Sequence, residues 1–185
     1  MNNIITINNN TFEIRLAKLE DINEIQILNR KWTVKSLDFD NKNDGFLFCE
    51  EYKPEDLKKI IESKEIAVAT TKNEVIAYYI NDNHSHLLSQ YESAIKQLIQ
   101  DDIISENLRV SKRTQIVVEK DFHRLGLPSQ MLKLLKPYLT IKYDLLFSIG
   151  INENPKRIAH EKAGWKIVYE NDFNYYCIYK LNADK

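Results

Sequence analysis

Glycine and proline are scarce in this chain, with four of each in 185 residues. With so few chain breakers, each one marks a place where the backbone needs it. Cysteine is scarcer still. Cys49 and Cys177 lie far apart and form no CxxC pair, so a reducing cytoplasm is the simplest compartment to expect. No stretch approaches the ~20 apolar residues of a membrane span. The first ten residues are rich in Asn and lack both a basic and an apolar run, so no signal peptide is read there. Charge of one sign is missing too. Twenty-six Lys and Arg face 27 Asp and Glu, a formal net charge of −1, so no overall field gathers nucleic acid or an anionic membrane. Neither a basic stripe nor an aromatic ladder supports nucleic-acid binding.

What is present suits one globular domain over 1–185. Hydrophobic residues make up 43% and charged residues 29%, enough to build a core within ordinary composition. No internal repeat, low-complexity tract or linker interrupts it. Residues 1–10 read as a polar lead-in. A strand is expected at Thr11–Leu16, a helix from Glu20 to about Trp32, and a second helix from Pro54. Residues 33–53 carry Asp38, Asp40, Asn41, Asn43, Asp44 and Gly45, then Phe46-Leu47-Phe48, and read as a loop suited to substrate contacts. Glu65–Thr71 and Glu74–Ile80 flank Lys72-Asn73 and form the clearest hairpin. Residues 81–112 are long for a connection between neighbouring strands. They hold a helix near 87–100 and read as an inserted lid or an interface, through which a homodimer could form.

The stretch from Arg113 to Leu135 organises the rest. Thr114, Ile116, Val117 and Val118 predict a strand. The chain then turns through Glu119–Gly126. From Pro128 the spacing of Met131, Leu132, Leu135 and Leu139 predicts a helix. Proline suits a first helical turn and Gly126 permits a tight path into it. A helix N-terminus after such a bend is an anion site, with N–H groups converging and the dipole favouring negative charge. A pyrophosphate is expected on residues 124–129. Tyr143–Ile149 is apolar enough to be a strand buried on both faces, as in a parallel pair. A helix follows from Asn154-Pro155, closed by Ala163-Gly164, and Trp165–Glu170 pairs with Phe173–Leu181 across Asn171-Asp172. The fold class expected is α/β: a mixed, mostly antiparallel, twisted sheet of about seven strands with helices on both faces.

Two motifs at this spacing carry a family resemblance. Val117-Val118-Glu119-Lys120-Asp121-Phe122-His123-Arg124-Leu125-Gly126-Leu127-Pro128-Ser129 resembles the acyl-CoA signature of GNAT-type N-acetyltransferases, a (Gln/Arg)-x-x-Gly-x-(Gly/Ala) turn. Here His123 stands for Gln or Arg and Pro128 for Gly or Ala; Pro128 removes one N–H donor. Asn154-Pro-Lys-Arg-Ile-Ala-His-Glu-Lys-Ala-Gly-Trp165 is similar to the family's later helix, whose end often reads Tyr-Glu-Lys-x-Gly-Phe. His160 takes the place of that tyrosine, commonly assigned to protonate the departing thiolate.

The resemblance implies acetyl-CoA as co-substrate, lying in a splay between the central strand and strand 143–149. The backbone of Ile116 and Val118 would meet the pantetheine amides. An N–H near Val117 would hold the oxyanion. Arg124, Leu125, Gly126, Leu127 and Ser129 would cradle phosphate, with His123 in the turn and Asn154 at the head of the later helix also beside the cofactor. An amine of a small molecule or protein would attack the thioester directly, so that most of the catalysis is positioning. His160 is the candidate acid and Glu119 the candidate base. Tyr78 or Tyr79, and His84 or His86, are candidates for the acceptor side. His84-x-His86 has no further His or Cys to complete a metal site. Lys120, Lys133, Lys156 and Arg157 are either phosphate-steering or solvated charges. Tyr175, Tyr176, Tyr179 and Trp165 read as hairpin packing, and Cys177 as a buried thiol. A non-catalytic acyl-CoA-binding regulatory domain is the alternative. A P-loop hydrolase lacks its GxxxxGK[ST] pattern.

Overall fold

The structure, a computed structural model, describes residues 3–7, 10–36, 44–47 and 51–182. Among the described residues, eight strands, one more than the sequence predicts, form one sheet; numbered β1 to β8 along the chain, they lie in the order β1-β2-β3-β4-β5-β6-β8-β7. The extra strand is β1 (Asn3–Ile7), which pairs antiparallel with β2 (Asn10–Leu16). It falls in the polar lead-in, where Ile4, Ile5 and Ile7 are spaced among Asn and Thr; Ile5 and Ile7 pack on the core while Ile4 stays exposed. Asp38, Asp40, Asn41, Asn43, Phe48 and Cys49 lie outside the described residues.

A turn at Leu19–Asp21 leads into α1 (Ile22–Trp32). Arg15 of β2 donates to both oxygens of buried Asp21, at 2.6 and 2.8 Å, which joins strand to helix in a fork suited to a carboxylate. Helix α2 (Pro54–Glu62) starts at its proline, as expected. Strands β3 (Ile66–Thr71) and β4 (Glu74–Asp82) make the hairpin, with Lys72 and Asn73 at positive φ. The insert contributes α3 (Ser89–Gln100). Then come β5 (Val110–Val118), α4 (Leu127–Lys142), β6 (Leu145–Ile151), the short α5 (Arg157–Lys162), β7 (Lys166–Glu170) and β8 (Asn174–Lys180).

Each face of the sheet has its own core. Leu127, Met131, Leu135 and Leu139 of α4 pack over Phe12, Ala69, Tyr79 and Tyr175 on one face. Ile25, Leu28 and Trp32 of α1 and Leu57 and Ile60 of α2 cover Val68, Tyr78, Ile80 and Val117 on the other. The two-residue period of strands accounts for this division: Tyr78 and Tyr79 are neighbours in sequence and sit in opposite cores.

One pairing positions the site. Strands β5 and β6 are parallel, and only Val110, Ser111 and Lys112 pair, with Leu145, Leu146 and Phe147. Beyond that point β5 stays with β4, and β6 stays with β8 along its whole length. The two strands therefore diverge, and a cleft opens between them through the sheet.

Candidate active site

The cleft has a volume of about 1260 Å³, enough for a ligand larger than most drugs. One end is the turn from β5 into α4. Arg124 and Gly126 both have positive φ, 64° and 72°. A Cβ added to Gly126 would touch nothing within 4 Å, so the glycine is required by backbone conformation, not by space. Ser129 N–H is already used on Gly126 O at 3.1 Å. Of the turn expected to hold an anion, this leaves the N–H groups of residues 124–127, since Pro128 has none. Arg124, Lys133, Lys136 and Lys156 line the cleft around it. Burial lowers the Lys156 ammonium from its usual value; Asp44 opposes the shift and the charge of Arg124 adds to it. Arg157 instead pairs with Glu170 at 2.5 Å and does not line the cleft.

Residues 44–47 cross the cleft from the turn to α5. Asp44 binds Lys120 at 2.7 Å, and Asn154 Nδ2 donates to Phe46 O at 2.9 Å. Leu47 N–H donates to Trp32 O at 2.8 Å. Asn154 thus lines the cleft but spends its amide on this strap.

Along β5, Glu119 N–H donates to Ile76 O at 2.9 Å. The alternation of an antiparallel ladder then turns the Val117 N–H toward β4 as well, and turns the backbone groups of Ile116 and Val118 into the cleft. The backbone groups of Ile116 and Val118 thus face the side where pantetheine amides are expected, and the Val117 N–H faces β4 instead. His123 turns back and donates from Nε2 to Val118 O at 2.9 Å. Its pKa is lowered, mainly by burial. Leu127 is fully buried in the core, and neither Leu125 nor Leu127 lines the cleft.

At the vertex sits Arg113, 4% exposed. Its Nε and Nη2 donate to Ser148 Oγ at 3.1 and 2.7 Å, and its Nη1 donates to His160 Nε2 at 3.0 Å. The guanidinium carbon lies 4.3 Å from the Trp165 ring centroid. Ser148 Oγ donates back to Arg113 O at 2.8 Å, tying β5 to β6 just past their last paired residues. The other His160 nitrogen, Nδ1, is 2.8 Å from the Tyr175 hydroxyl. A guanidinium can only donate. His160 Nε2 is therefore an acceptor, Nδ1 carries the hydrogen, and Tyr175 Oη accepts it. The Tyr175 proton is left to point elsewhere. Gly150 makes room for this ring: a Cβ there would lie 2.1 Å from Tyr175 Cζ. Burial and, secondarily, Arg113 push the His160 pKa down to about 2, while burial pushes the Tyr175 hydroxyl up to about 12.

Several candidate roles change accordingly. His160 is in the cleft, yet it is neutral with Nε2 occupied, so it has no acidic proton to give. Glu119 is held by Lys31 at 2.6 Å on the outside and does not line the cleft. Tyr78 is fully buried and donates to Gln115 Oε1 at 2.9 Å; Tyr79 is the neighbour that reaches the cleft. His84 lies 3.8 Å from Glu65, outside the lining, while His86 lines it with Nδ1 2.8 Å from Asp56. Arg113 and Thr114 read only as part of a strand, and nothing in the sequence marks Ser148, Tyr52 or Asp82 as functional. The only signal was an arginine beside a β-branched run.

No protein-family model and no curated protein matches the sequence. Solved structures do match. A GNAT-family acetyltransferase from Listeria monocytogenes is 17% identical, with a TM-score of 0.62 over 96% of this chain and 99% of that one. The chain has the GNAT fold. PaiA N-acetyltransferase from Thermoplasma acidophilum, solved with coenzyme A, is 12% identical with a TM-score of 0.60, covering 91% of this chain and 98% of its own. YncA of Salmonella typhimurium, solved with its cofactor acetyl-CoA, is 11% identical with a TM-score of 0.61, covering 93% and 95%. At these identities the likeness is one of fold. No helix among the described residues of this GNAT-fold chain is long and apolar enough to cross a membrane.

Proposed function

We propose that this chain is an acetyl-CoA-dependent N-acetyltransferase that transfers acetyl to a primary amine by direct attack. The observation that carries the reading is the cleft itself. Two parallel strands part after three pairs, and the gap ends at a helix N-terminus ringed by cations. A phosphate-bearing chain with an extended amide arm fits that shape. Its diphosphate meets the N–H groups of residues 124–127. Its amides run along Ile116 and the Val118 N–H, since His123 holds the Val118 carbonyl.

The thioester then lies near the vertex, beside Arg113 and Tyr175. A buried cation held by neutral partners is costly unless an anion joins it. The anion formed in this reaction is the CoA thiolate. The amine nitrogen bonds the acetyl carbon, the C–S bond breaks, and the electron pair stays on sulfur. Tyr175 gives the sulfur its proton, and Arg113 stabilises the charge through His160. Tyr175 thus fills on β8 the proton-donor place expected of residue 160.

CoA titration tests the site. Gly126→Asp puts a carboxylate at the helix N-terminus and weakens CoA binding by roughly tenfold or more. A folded variant that binds CoA like the parent would move the site elsewhere. Thiol release from acetyl-CoA with primary amines tests the reaction. CoA binding with no release from any amine would favour the non-catalytic sensor.

A further inference from the structure

On the α1–α2 face of the sheet, a second hydrogen-bond chain starts in the cleft. The register of β4 and β5 jumps from Ile80↔Gln115 to Asn81↔Arg113. Thr114 is thereby left as the extra residue of a bulge, two positions past the last β5–β6 pair. Bulges re-aim side chains, and this one lines the cleft. Its Oγ1 lies 2.6 Å from the hydroxyl of Tyr52, which lies 2.8 Å from Asp82 Oδ2. Tyr52 and Asp82 are 2% and 0% exposed.

The direction of this chain follows from its end. The carboxylate accepts, so Tyr52 donates to Asp82. Tyr52 has one proton, so Thr114 donates to Tyr52. The Thr114 oxygen is then an acceptor facing the cleft. Burial and the nearby Asp82 hold the Tyr52 pKa well above its usual value, so this hydroxyl keeps its proton. Asp82 is locked in place: His84 N–H and Ser85 N–H donate to Oδ1 at 2.8 and 3.0 Å, and the Ser85 hydroxyl donates to Oδ2. Those donors come from the connection that enters the 81–112 insert, and Tyr52 comes from the segment that leads into α2.

We propose that Thr114 takes the proton of the acceptor amine and passes it through Tyr52 to Asp82. The proposal rests on the acetyl-transfer reading. As nitrogen bonds the acetyl carbon it becomes acidic. Its proton moves to Thr114 Oγ1, the Thr114 proton to Tyr52, and the Tyr52 proton to Asp82 Oδ2. One proton leaves nitrogen and one arrives at sulfur, so the step balances. Thr114 touches the amine; Tyr52 and Asp82 act through it. The amine enters from the face opposite the Tyr175 hydroxyl, and proton removal and proton supply do not compete for one group.

The test uses the full chain with acetyl-CoA and a panel of amines: phenethylamine, spermidine and a lysine-containing peptide. Thr114→Val and Tyr52→Phe each lower kcat about 100-fold, with CoA affinity unchanged. Thr114→Ser keeps the hydroxyl and recovers most of the rate. The relay is overturned if Thr114→Val and Tyr52→Phe keep the parent kcat, or if Thr114→Ser falls as far as Thr114→Val. A parent that binds CoA but acetylates none of the amines overturns the transfer reading, and the relay with it. A parent that transfers while the variants keep pace overturns the relay alone.

Discussion

The two faces of the sheet carry hydrogen-bond chains of opposite sense into one cleft. On the α4 face, Arg113 donates to His160, His160 donates to Tyr175, and the chain ends on an O–H. On the α1–α2 face, the chain begins on an oxygen of Thr114 and runs through Tyr52 to Asp82. The anchors decide the sense. A guanidinium has no lone pair to offer and an ionised carboxylate has no hydrogen. Every neutral group between anchor and cleft must follow. Neutral groups, an imidazole and a hydroxyl in one chain and two hydroxyls in the other, become a proton source or a proton sink according to the charge behind them.

Variants that cut one chain and spare the other break the comparison. Tyr175→Phe removes the last hydrogen of the source chain while leaving its ring against Gly150. It lowers kcat about 100-fold and leaves CoA affinity at the parent value, as turnover and titration together would show. Gly150→Ala is a steric cut of the same chain. Its new methyl meets the Tyr175 ring at 2.1 Å, which costs about 1–3 kcal/mol of stability, read by denaturant unfolding. Turnover falls with it, because the hydroxyl is displaced.

The pH dependence sharpens the contrast. His160 is held neutral, with its pKa lowered from 6.5 to about 2 by burial and by Arg113. The folded state refuses a proton that the unfolded state accepts. The stability His160 contributes is complete above about pH 6.5 and is lost progressively as pH falls from there toward about 2. His160→Gln cannot titrate, yet it can accept from Arg113 and donate to Tyr175. This variant loses less melting temperature than the parent between pH 7 and pH 5. A parallel loss would mean that His160 is not the buried neutral group. The smallest effect is expected outside the cleft. Glu119→Gln breaks an ion pair with Lys31, which is more than half exposed, so stability changes by less than about 1 kcal/mol and turnover stays at the parent rate.

The turn at one end of the cleft is far more legible in the sequence than the side chains at its vertex. The turn at 119–127 is local: one strand, one glycine and one proline within a few residues, in a chain where both breakers are rare. The two proton chains are not local. Arg113 and His160 are 47 residues apart, Tyr175 and His160 fifteen, and Tyr52 and Thr114 sixty-two. Periodicity cannot join such positions. Tyr175 read as hairpin packing because its backbone is a hairpin. Its hydroxyl reaches the site only because residue 150, on the neighbouring strand, is glycine. Tyr52 fell in a stretch with no period to read, and Thr114 was hidden by a bulge that alternation does not show. The strand β1 was missed for a simpler reason. Ile5 and Ile7 alternate, but the adjacent Ile4 breaks the pattern and asparagine flanks the strand on both sides.

The most direct test is thiol release from acetyl-CoA by Tyr175→Phe and Thr114→Val across amines of graded basicity. With a proton sink on one face and a proton source on the other, the dependence of kcat on amine basicity changes in Thr114→Val and stays at the parent slope in Tyr175→Phe. Equal slopes in the two variants would contradict the division of labour between the faces.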